Sequence, residues 1–393
     1  MALTTVSSDR LSTNVKNTNF TAAEKQDLTD DILPLAGQLG NRNLIINGAM
    51  QVAQRGTSST STGYQTVDRF EYRFGGTDEA PTQTQADVAS GTTPYTLGFR
   101  KSYKIQNGNQ TSGAGSADNI YLRQRIEAQV IANSGWNYTS SSSFITLSFW
   151  VKSSVAQNFY GYVQTIDGTK QNYPFETGSL SADTWTKITK TIPGNSNLQF
   201  DNNVNNGLDL VVVAPFWGTD YTASSVTLNQ WAAQNDSTRT PDNTSTWYTT
   251  NDATFEVTGV QLEVGSVATD FEHRSYCDEI NKCKRYYTFF PAGYIGGGRG
   301  GSGGSLLLYN YYLTTPMRAA PTFEPSSAWS SSNGIRAYKY NGQSDSTSTP
   351  VLATNGFIAN TNILYMSMAG HSIDDDRVAS FTHNNTLGIN AEL

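Results

Sequence analysis

The chain has 393 residues, of which 37% are hydrophobic and 15% charged, and its formal net charge is −7. Its 21 Tyr, 17 Phe and 7 Trp, together with that low charge, argue against disorder, and an acidic chain without Lys and Arg clusters argues against a nucleic-acid partner. Ser, Thr, Asn and Gln supply about a third of the residues, so helix formers are few and we predict an ordered β-protein with a polar surface.

The first residues, MALTTVSSDRLSTNVK, lack the basic region and apolar core of a secretory signal. No apolar run approaches the roughly 20 residues that cross a bilayer, so we expect no membrane insertion. Cys277 and Cys283 would lie about 9 Å apart along the axis of a predicted helix and on different faces, too far apart for a disulfide. We therefore expect synthesis in a reducing compartment.

Residues 1–40 differ in pattern from the rest of the chain. Thr21 and Glu24 in TAAEKQDLTDDILPLAG form a capping box and Pro34 is a stop signal, which predicts a short helix over about 22–33. Such a helix cannot bury its apolar side alone. We interpret 1–40 as an arm that docks on its own trimer or on a partner, with a mobile tail as the alternative. The predicted contact residues are Leu28, Ile32 and Leu33.

Residues 41–274 show β-strand patterns separated by polar loops. The apolar run NLII ends at Asn47 and Gly48, a strong turn signal. FITLSFWVKS alternates with a period of two, and DLVVVAPFW is a continuous apolar run typical of a central strand. We predict an antiparallel two-sheet sandwich of jelly-roll type. The residues predicted to share one face of FITLSFWVKS are Ile145, Leu147, Phe149 and Val151.

The segment TFEVTGVQLEVGSVATDFEHRSYCDEINKCKRYY changes its pattern twice. Phe255 and Val257 share one parity and Val260 has the other, which predicts a β-bulge at Gly259. A helical spacing follows and predicts a linker helix within 275–290. The apolar stripe of this helix, which includes one core cysteine, consists of Tyr276, Ile280, Cys283 and Tyr287.

Residues 291–393 contain further short β patterns, such as LLLYNYYL and ILYMSMAG, so we predict a second, smaller β-domain there. GYIGGGRGGSGG lacks the Gly-Lys-Ser/Thr sequence and the following helix of a phosphate loop, and we interpret it as a mobile loop. The predicted organisation is an arm over 1–40, a jelly roll over 41–274, a linker helix over 275–290 and the C-terminal β-domain.

Patterns that indicate catalysis are scarce. His273, between Glu272 and Arg274, fits a solvated or capping residue at a strand-to-helix junction better than a general base. No G-x-S-x-G, H-E-x-x-H or C-x-x-C motif occurs. Asp374–Asp376 could bind a divalent cation, although a charge run in a loop is usually solvated. We predict a protein that is not an enzyme, yet two of the 33 acidic residues could still serve glycoside hydrolysis, so a depolymerase stays open.

Aromatic residues near long polar loops suggest a sugar-binding surface, because sugar rings stack on exposed aromatic faces. The alternative is that most of these rings belong to the core or the sheet surface, as β-propensity alone predicts. The predicted glycan-binding residues are Trp217, Tyr221, Trp231 and Trp247.

Several blocks together resemble phage virion proteins of the tail-fibre or fibre-like class: NLIINGAMQVAQRGTS, YQTVDRFEYR, FITLSFWVKSS, the segment around Gly259 and PMRAAPTF. The resemblance covers about 41–393 and implies a virion location and trimerisation. The jelly-roll region is also similar to carbohydrate-binding modules, which begin with N-L-x-x-N-G and end in a strand like VTGVQLEVG. Such modules often hold a structural calcium, for which this chain would supply Asn43, Asp68 and Glu263; no other cofactor is expected.

The resemblance implies a non-enzymatic virion protein, made in the host cytoplasm. As a trimeric tail-fibre or fibre-like subunit, it would bind host-surface polysaccharide or lipopolysaccharide, and other virion proteins would hold its arm. An architectural virion component, such as a capsid fibre, a decoration protein or a connector, is the first alternative. A polysaccharide depolymerase is the second.

Overall fold

The structure of the protein is a computed structural model, which describes residues 41–290, 293–300, 307–319, 321–324, 336–338, 344–346, 350–352, 363–368, 378–383 and 387–393. Two predicted features lie outside these residues: the arm helix, with Leu28, Ile32 and Leu33, and the acidic run Asp374–Asp376. Within the part of the chain that is described, no helix has both the length and the apolar character needed to cross a bilayer.

Two six-stranded antiparallel sheets, formed within residues 58–264, make up a sandwich and confirm the predicted fold class. The strands are β1 (Ser58–Ser59), β2 (Phe70–Gly75), β3 (Thr82–Asp87), β4 (Lys101–Gln106), β5 (Asn119–Glu127), β6 (Phe144–Ser153), β7 (Asn158–Thr165), β8 (Gln171–Ser179), β9 (Thr186–Pro193), β10 (Asn206–Trp217), β11 (Ala232–Ala233) and β12 (Thr254–Val264). The first sheet has the order β1-β3-β4-β12-β6-β9, and the second has the order β11-β8-β7-β10-β5-β2. Three short helices lie between strands: α1 (Thr93–Thr96), α2 (Ala128–Ala132) and α3 (Thr246–Thr249).

The core lies between the two sheets, and the strand patterns explain it. On β6 the alternating residues predicted to share a face are all completely buried, because successive side chains of a strand point to opposite sides. β10 lies between β7 and β5, and every residue after its first is buried, as the continuous apolar run predicts. These fully buried β6 residues are Ile145, Leu147, Phe149 and Val151.

The predicted bulge in β12 is confirmed. The register of β12 against β6 shifts between Thr258 and Gln261. Gly259, which lies inside this shift, has φ = +63°, and a Cβ there would be 2.6 Å from the Phe99 ring. Only glycine combines this left-handed backbone with such a close aromatic neighbour. The bulge lets residues on both sides of Gly259 face the core although their parity changes.

The predicted linker helix exists as α4 (Tyr276–Lys284), but it ends one turn earlier than its apolar stripe suggested. The Ser275 side chain caps it by accepting a hydrogen bond from the Asp278 N–H at 3.2 Å. The chain then leaves the helix and starts β13 (Tyr287–Phe290), in which Tyr287 pairs with Asn390. Because Tyr287 belongs to the strand β13, the prediction that it lies on the helix is wrong.

The buried face of α4 is narrower than predicted. Cys283 is completely buried, as expected, and its neighbour on that face is Glu279. Tyr276 is 55% exposed, so the predicted stripe does not form one core-facing row. Both cysteines are free thiols, with Cys277 exposed.

Hydrogen bonds to Glu127 fasten the end of α4 to the second sheet. Its carboxylate accepts two hydrogen bonds from the Arg285 guanidinium, at 2.7 and 2.8 Å, and one from the Tyr286 hydroxyl at 2.5 Å. Burial raises the pKa of Glu127, but these hydrogen bonds outweigh it and hold the pKa below its usual value. The Arg69 guanidinium lies 3.4 Å from the centre of the Tyr286 ring.

The described C-terminal segments form further antiparallel strands. These strands are β14 (Gly293–Gly300), β15 (Leu307–Tyr312), β16 (Thr322–Glu324), β17 (Arg336–Tyr338), β18 (Ser344–Ser346), β19 (Pro350–Leu352), β20 (Ile363–Met368), β21 (Val378–His383) and β22 (Leu387–Asn390). They form a three-stranded sheet of order β13-β22-β16 and a seven-stranded sheet of order β18-β17-β21-β14-β15-β20-β19.

The Gly-rich segment predicted as a mobile loop contains the strand β14, because backbone pairing with β21 and β15 needs no side chains. The predicted domain boundaries at 40, 274 and 290 stay predictions.

Candidate functional site

The outer face of the second sheet carries a group of packed aromatic and charged side chains. On β5, Ile120 and Leu122 belong to the core between the sheets, so Tyr121 and Arg123 point to the opposite side. In the same row Arg123 lies beside Val211 of β10, which in turn pairs with Tyr162 of β7. The alternation of three neighbouring strands thus builds one continuous surface.

Four rings on this face pack together, and we call them the aromatic cluster: Tyr121, Tyr162, Trp217 and Tyr221. Trp217 is at the centre, with ring centroids 4.6 Å from Tyr121 in a stacked arrangement, 6.4 Å from Tyr162 and 5.2 Å from Tyr221. The relative exposure is 2% for Trp217, 3% for Tyr162 and 8% for Tyr121, whereas Tyr221 is half-buried. Three rings therefore form a base, and Tyr221 is the accessible member.

Arg239 covers the outer side of the aromatic cluster. Its guanidinium carbon lies 5.0 Å from the Trp217 ring centre and 5.2 Å from that of Tyr221, within cation–π range. The side chain pairs with Asp236 at 2.6 Å, and the Arg239 carbonyl accepts a hydrogen bond from the Asn172 side chain at 2.9 Å. The loop after β10 is in this way fastened to β8 and held over the sheet.

Arg123 anchors the charged half of the face. It contacts the carboxylates of Glu71 at 2.7 Å and Asp209 at 3.1 Å. Burial alone would lower the pKa of Arg123, but these carboxylates raise it above its usual value. Arg125 also contacts Glu71 and Asp209, each at 3.7 Å, so the two carboxylates share two guanidinium groups.

Several buried polar atoms on this face lack a hydrogen-bond partner within the described structure. They are Trp217 Nε1, Arg239 Nε and Asn172 Oδ1. An unpaired buried polar group costs about 1–3 kcal/mol, so a site that leaves such groups unpaired gains from a ligand or water that supplies the missing partners. Burial also raises the pKa of the Tyr162 hydroxyl above its usual value.

Tyr160 extends the face beyond the aromatic cluster. It lies on β7, opposite Glu176 of β8 and Ala214 of β10, and its ring is half-buried. Burial first, then the carboxylates of Glu176 and Asp242, raise the pKa of Tyr160. Tyr160 and Tyr221 are thus the rings of this face that can offer a surface to a ligand.

The structure brings together two of the four residues predicted to bind glycans, Trp217 and Tyr221. Trp231 lies elsewhere: its ring packs 5.2 Å from Tyr173, and its Nε1 donates to the Pro193 carbonyl at 2.7 Å, which closes the sandwich edge near β9. Trp247 is completely buried. Its ring has no exposed face, so Trp247 has a core role in place of the predicted glycan contact.

Sequence reasoning did not select Tyr121, Tyr162, Arg123 or Arg239. A signal for the first three existed in NIYLRQRIE and NFYGYVQT, where aromatic or basic residues alternate with apolar ones. Arg239 had no local signal, because its place depends on the loop folding back over β10.

The predicted calcium residues Asn43, Asp68 and Glu263 each have a structural partner instead of a shared centre. Asn43 Oδ1 accepts hydrogen bonds from the N–H groups of Ile45 and Leu262, at 2.9 and 3.1 Å. Asp68 accepts from Gln54, and Glu263 accepts from the backbone and side chain of Thr269. Among the described residues no group of three His, Cys, Asp or Glu could hold a metal ion.

His273 has the structural environment of a capping residue. Its ring lies 5.2 Å from Phe99 and 4.9 Å from Phe271, and its Nε2 makes a 2.9 Å hydrogen bond with the Leu97 carbonyl. These contacts tie the segment before α4 to the end of α1.

No protein family and no curated protein matches this chain. Among solved structures it is similar to a tailspike protein 4 domain of bacteriophage CBA120, with 9% identity, 57% of this chain covered and a TM-score of 0.29. The match spans 22% of that tailspike chain. A putative sugar binding protein from Bacteroides thetaiotaomicron is also similar, with 14% identity, 57% of this chain and 100% of that chain covered, and a TM-score of 0.28. The N-terminal cellulose-binding domain of a Cellulomonas fimi glucanase is 10% identical to this chain, with 56% of this chain and 99% of that chain covered and a TM-score of 0.25.

The class defined by the fold is a mostly β protein built on an antiparallel jelly-roll sandwich.

Proposed function

We propose that this chain is a non-enzymatic phage virion protein, a trimeric tail-fibre or fibre-like subunit that attaches to host-surface polysaccharide or lipopolysaccharide. The observation that carries the proposal is the arrangement of two accessible rings, Tyr160 on β7 and Tyr221 in the loop after β10, beside the ion-paired side chains of Arg123 and Arg239. Rings stack against the apolar faces of sugars, and fixed polar groups bind their hydroxyls.

Within this site the buried and exposed rings have different roles. Tyr221 and Tyr160 would contact the glycan. Trp217, at 2% exposure, would position Tyr221 and Arg239 and would not touch the sugar unless the loop moves. A surface held by packing loses little conformational entropy on binding. Each contact would still be weak, and three copies in a trimer would raise the total affinity through avidity.

The state of the carboxylates supports binding without hydrolysis. A glycosidase needs one protonated carboxyl group as acid and a second carboxylate near the same bond. On this face Glu71 and Asp209 are both ion-paired with Arg123, and Arg125 also contacts each of them. Both carboxylates are thus engaged by arginine side chains and are not free to contact a glycosidic bond.

The direct test is binding of the full chain to immobilised host capsule or lipopolysaccharide, followed by Tyr221→Ala and Tyr160→Ala. We expect each substitution to weaken binding about two- to tenfold, since an aromatic contact contributes roughly 0.5–1.5 kcal/mol. Tyr95→Ala is the matched control, because Arg100 lies over the half-buried Tyr95 ring in the same way, 4.0 Å from its centre, outside this face.

Two results would contradict the proposal. One is the absence of binding to any host envelope polysaccharide, and the other is equal loss of binding in the Tyr95 control. Release of reducing sugar during the incubation would favour a depolymerase. Labelling of the particle would test the tail position.

An architectural role is the second candidate, and one observation favours it: three of the four rings in the aromatic cluster are less than a tenth exposed. A surface closed in this way suits contact with other virion subunits. Labelled protein on the capsid surface, together with unchanged host adsorption when antibodies block it, would support that role.

A further inference from the structure

A cavity of about 470 Å³ lies away from the outer face, where α4, β13, the segment after β15 and the loop at residues 53–54 meet. We call it the junction cavity. Its volume falls in the range of roughly 300–1,000 Å³ that small-molecule sites occupy, which admits a mono- or disaccharide. The residues used in the argument are Gln54, Tyr276, Ile280, Lys284, Thr288 and Phe289.

One face of α4 lines this cavity. Tyr276, Ile280 and Lys284 follow each other at intervals of four residues, so they lie on the same side of the helix. Glu279 and Cys283, on another side, are the residues buried against the rest of the protein. The helix therefore serves the core with one side and lines a cavity with the other.

The cavity rim exposes aromatic surface. Tyr276 is 55% and Phe289 39% exposed, and these are two of the four large hydrophobic residues that are exposed in the described part of the chain. Aromatic rings beside hydroxyl-bearing residues such as Thr288 form an amphipathic lining, which matches the alternating apolar and polar surfaces of a sugar ring.

Gln54 supplies a fixed acceptor. Its side-chain nitrogen donates to the Asp68 carboxylate and, at 2.8 Å, to the Tyr287 carbonyl. Both amide protons are thereby used, so the side-chain oxygen is held as an acceptor in one orientation. Lys284 adds an ammonium group, and none of the described residues that line the cavity is acidic. A positive charge without a lining carboxylate selects for an anionic ligand.

We propose that the junction cavity is a second carbohydrate site, which binds one or two rings of an acidic sugar such as a hexuronic acid. Tyr276 and Phe289 stack on the ring, Gln54 accepts from a hydroxyl group, and the Lys284 ammonium pairs with the sugar carboxylate. This site does not depend on the outer face of the second sheet, and no residue is shared between them.

Saturation-transfer NMR on the full chain with the methyl glycosides of glucuronic and galacturonic acid tests the proposal. We expect transfer with dissociation constants on the order of millimolar, loss of transfer in Tyr276→Ala and Phe289→Ala, and no change in Tyr95→Ala. In Lys284→Gln, uronide binding falls about tenfold while the weaker binding of methyl glucoside stays the same. A purely structural lysine would not separate the two ligands.

The proposal is overturned if neither uronide binds at about 10 mM, if Phe289→Ala leaves transfer unchanged, or if methyl glucoside binds the native chain as well as the uronides do. Tyr221→Ala separates the two sites: it should leave uronide transfer intact while it weakens attachment to host polysaccharide. Because Tyr276 and Phe289 are exposed, their substitution should not prevent folding, which circular dichroism would verify.

Discussion

The outer face of the second sheet and the junction cavity combine aromatic rings with charged groups, yet they hold those rings in opposite ways. On the face, Trp217 is 2% exposed under an ion-paired arginine, whereas Tyr276 in the cavity is 55% exposed. A ring that is buried contributes mainly to stability, and a ring that is exposed contributes mainly to contact with a ligand. The same residue types therefore predict different responses to substitution in the two regions.

The largest effect is expected for Trp217→Ala. It removes the central ring of the aromatic cluster and leaves a cavity beneath Tyr221 and Arg239, so we expect a loss of about 3–5 kcal/mol in the free energy of unfolding. Phe289→Ala in the cavity should change it by less than about 1 kcal/mol. Urea denaturation measures both, and similar losses would remove the distinction between the regions.

The next effect concerns pH on the cavity side. Burial, opposed by hydrogen bonds from Gln54, raises the pKa of Asp68 to about 6 from its usual 3.8. A raised folded-state pKa gives stability that is present below pH 4 and is lost as the pH rises through 6. The free energy of unfolding should therefore fall by about 2–3 kcal/mol over this window from Asp68 alone.

Asp68→Asn tests this assignment. The free energy of unfolding of the native chain, relative to that of this variant, should fall by about 2–3 kcal/mol between pH 4 and pH 7. A pH-independent difference would show that Asp68 is not the titrating group.

A smaller effect is expected for Arg123→Met on the outer face. It leaves Glu71 and Asp209 sharing only the longer contacts of Arg125, at 3.7 Å, and we expect a loss of about 2 kcal/mol, less than for a fully buried pair because Arg123 is 13% exposed. Arg73→Met is the matched control: Arg73 also contacts Glu71, at 3.4 Å, but is 47% exposed, so its loss should stay below about 0.5 kcal/mol. Equal losses in chemical denaturation would contradict the assigned role of Arg123.

The smallest effect is expected for Arg239→Lys, which keeps the positive charge but removes the planar group that lies over Trp217 and Tyr221. We expect a loss of about 0.5–1 kcal/mol in thermal denaturation. No measurable change would show that charge alone holds the loop in place.

The parts of the fold that follow from local patterns could be predicted from the sequence. The shared face of Ile145 and Val151 follows from alternation, and the bulge at Gly259 follows from a change of parity. The strand in GYIGGGRGGSGG could not be predicted, because most of its pairing is with β21, about 80 residues later, and its sequence has no alternating pattern.

The candidate site was predictable only in part. Trp217 and Tyr221 were selected because they flank a polar loop, and they do meet at 5.2 Å. The burial of Trp217 depends on Arg239, which reaches it only when the loop folds back, and Trp247 near an equally polar loop points into the core. Loop position thus indicates where aromatic residues gather, but tertiary packing decides which ring reaches solvent.

The position of β12 has a consequence for how this protein is made. It is the last strand of the sandwich in the chain, but it lies in the middle of the first sheet, between β4 and β6. During translation β6 is complete about a hundred residues before its central partner emerges, so the nascent chain carries two separate half-sheets with unpaired edges. The first sheet can close only after residue 264 has left the ribosome, and fragments that stop earlier should be captured by chaperones or aggregate.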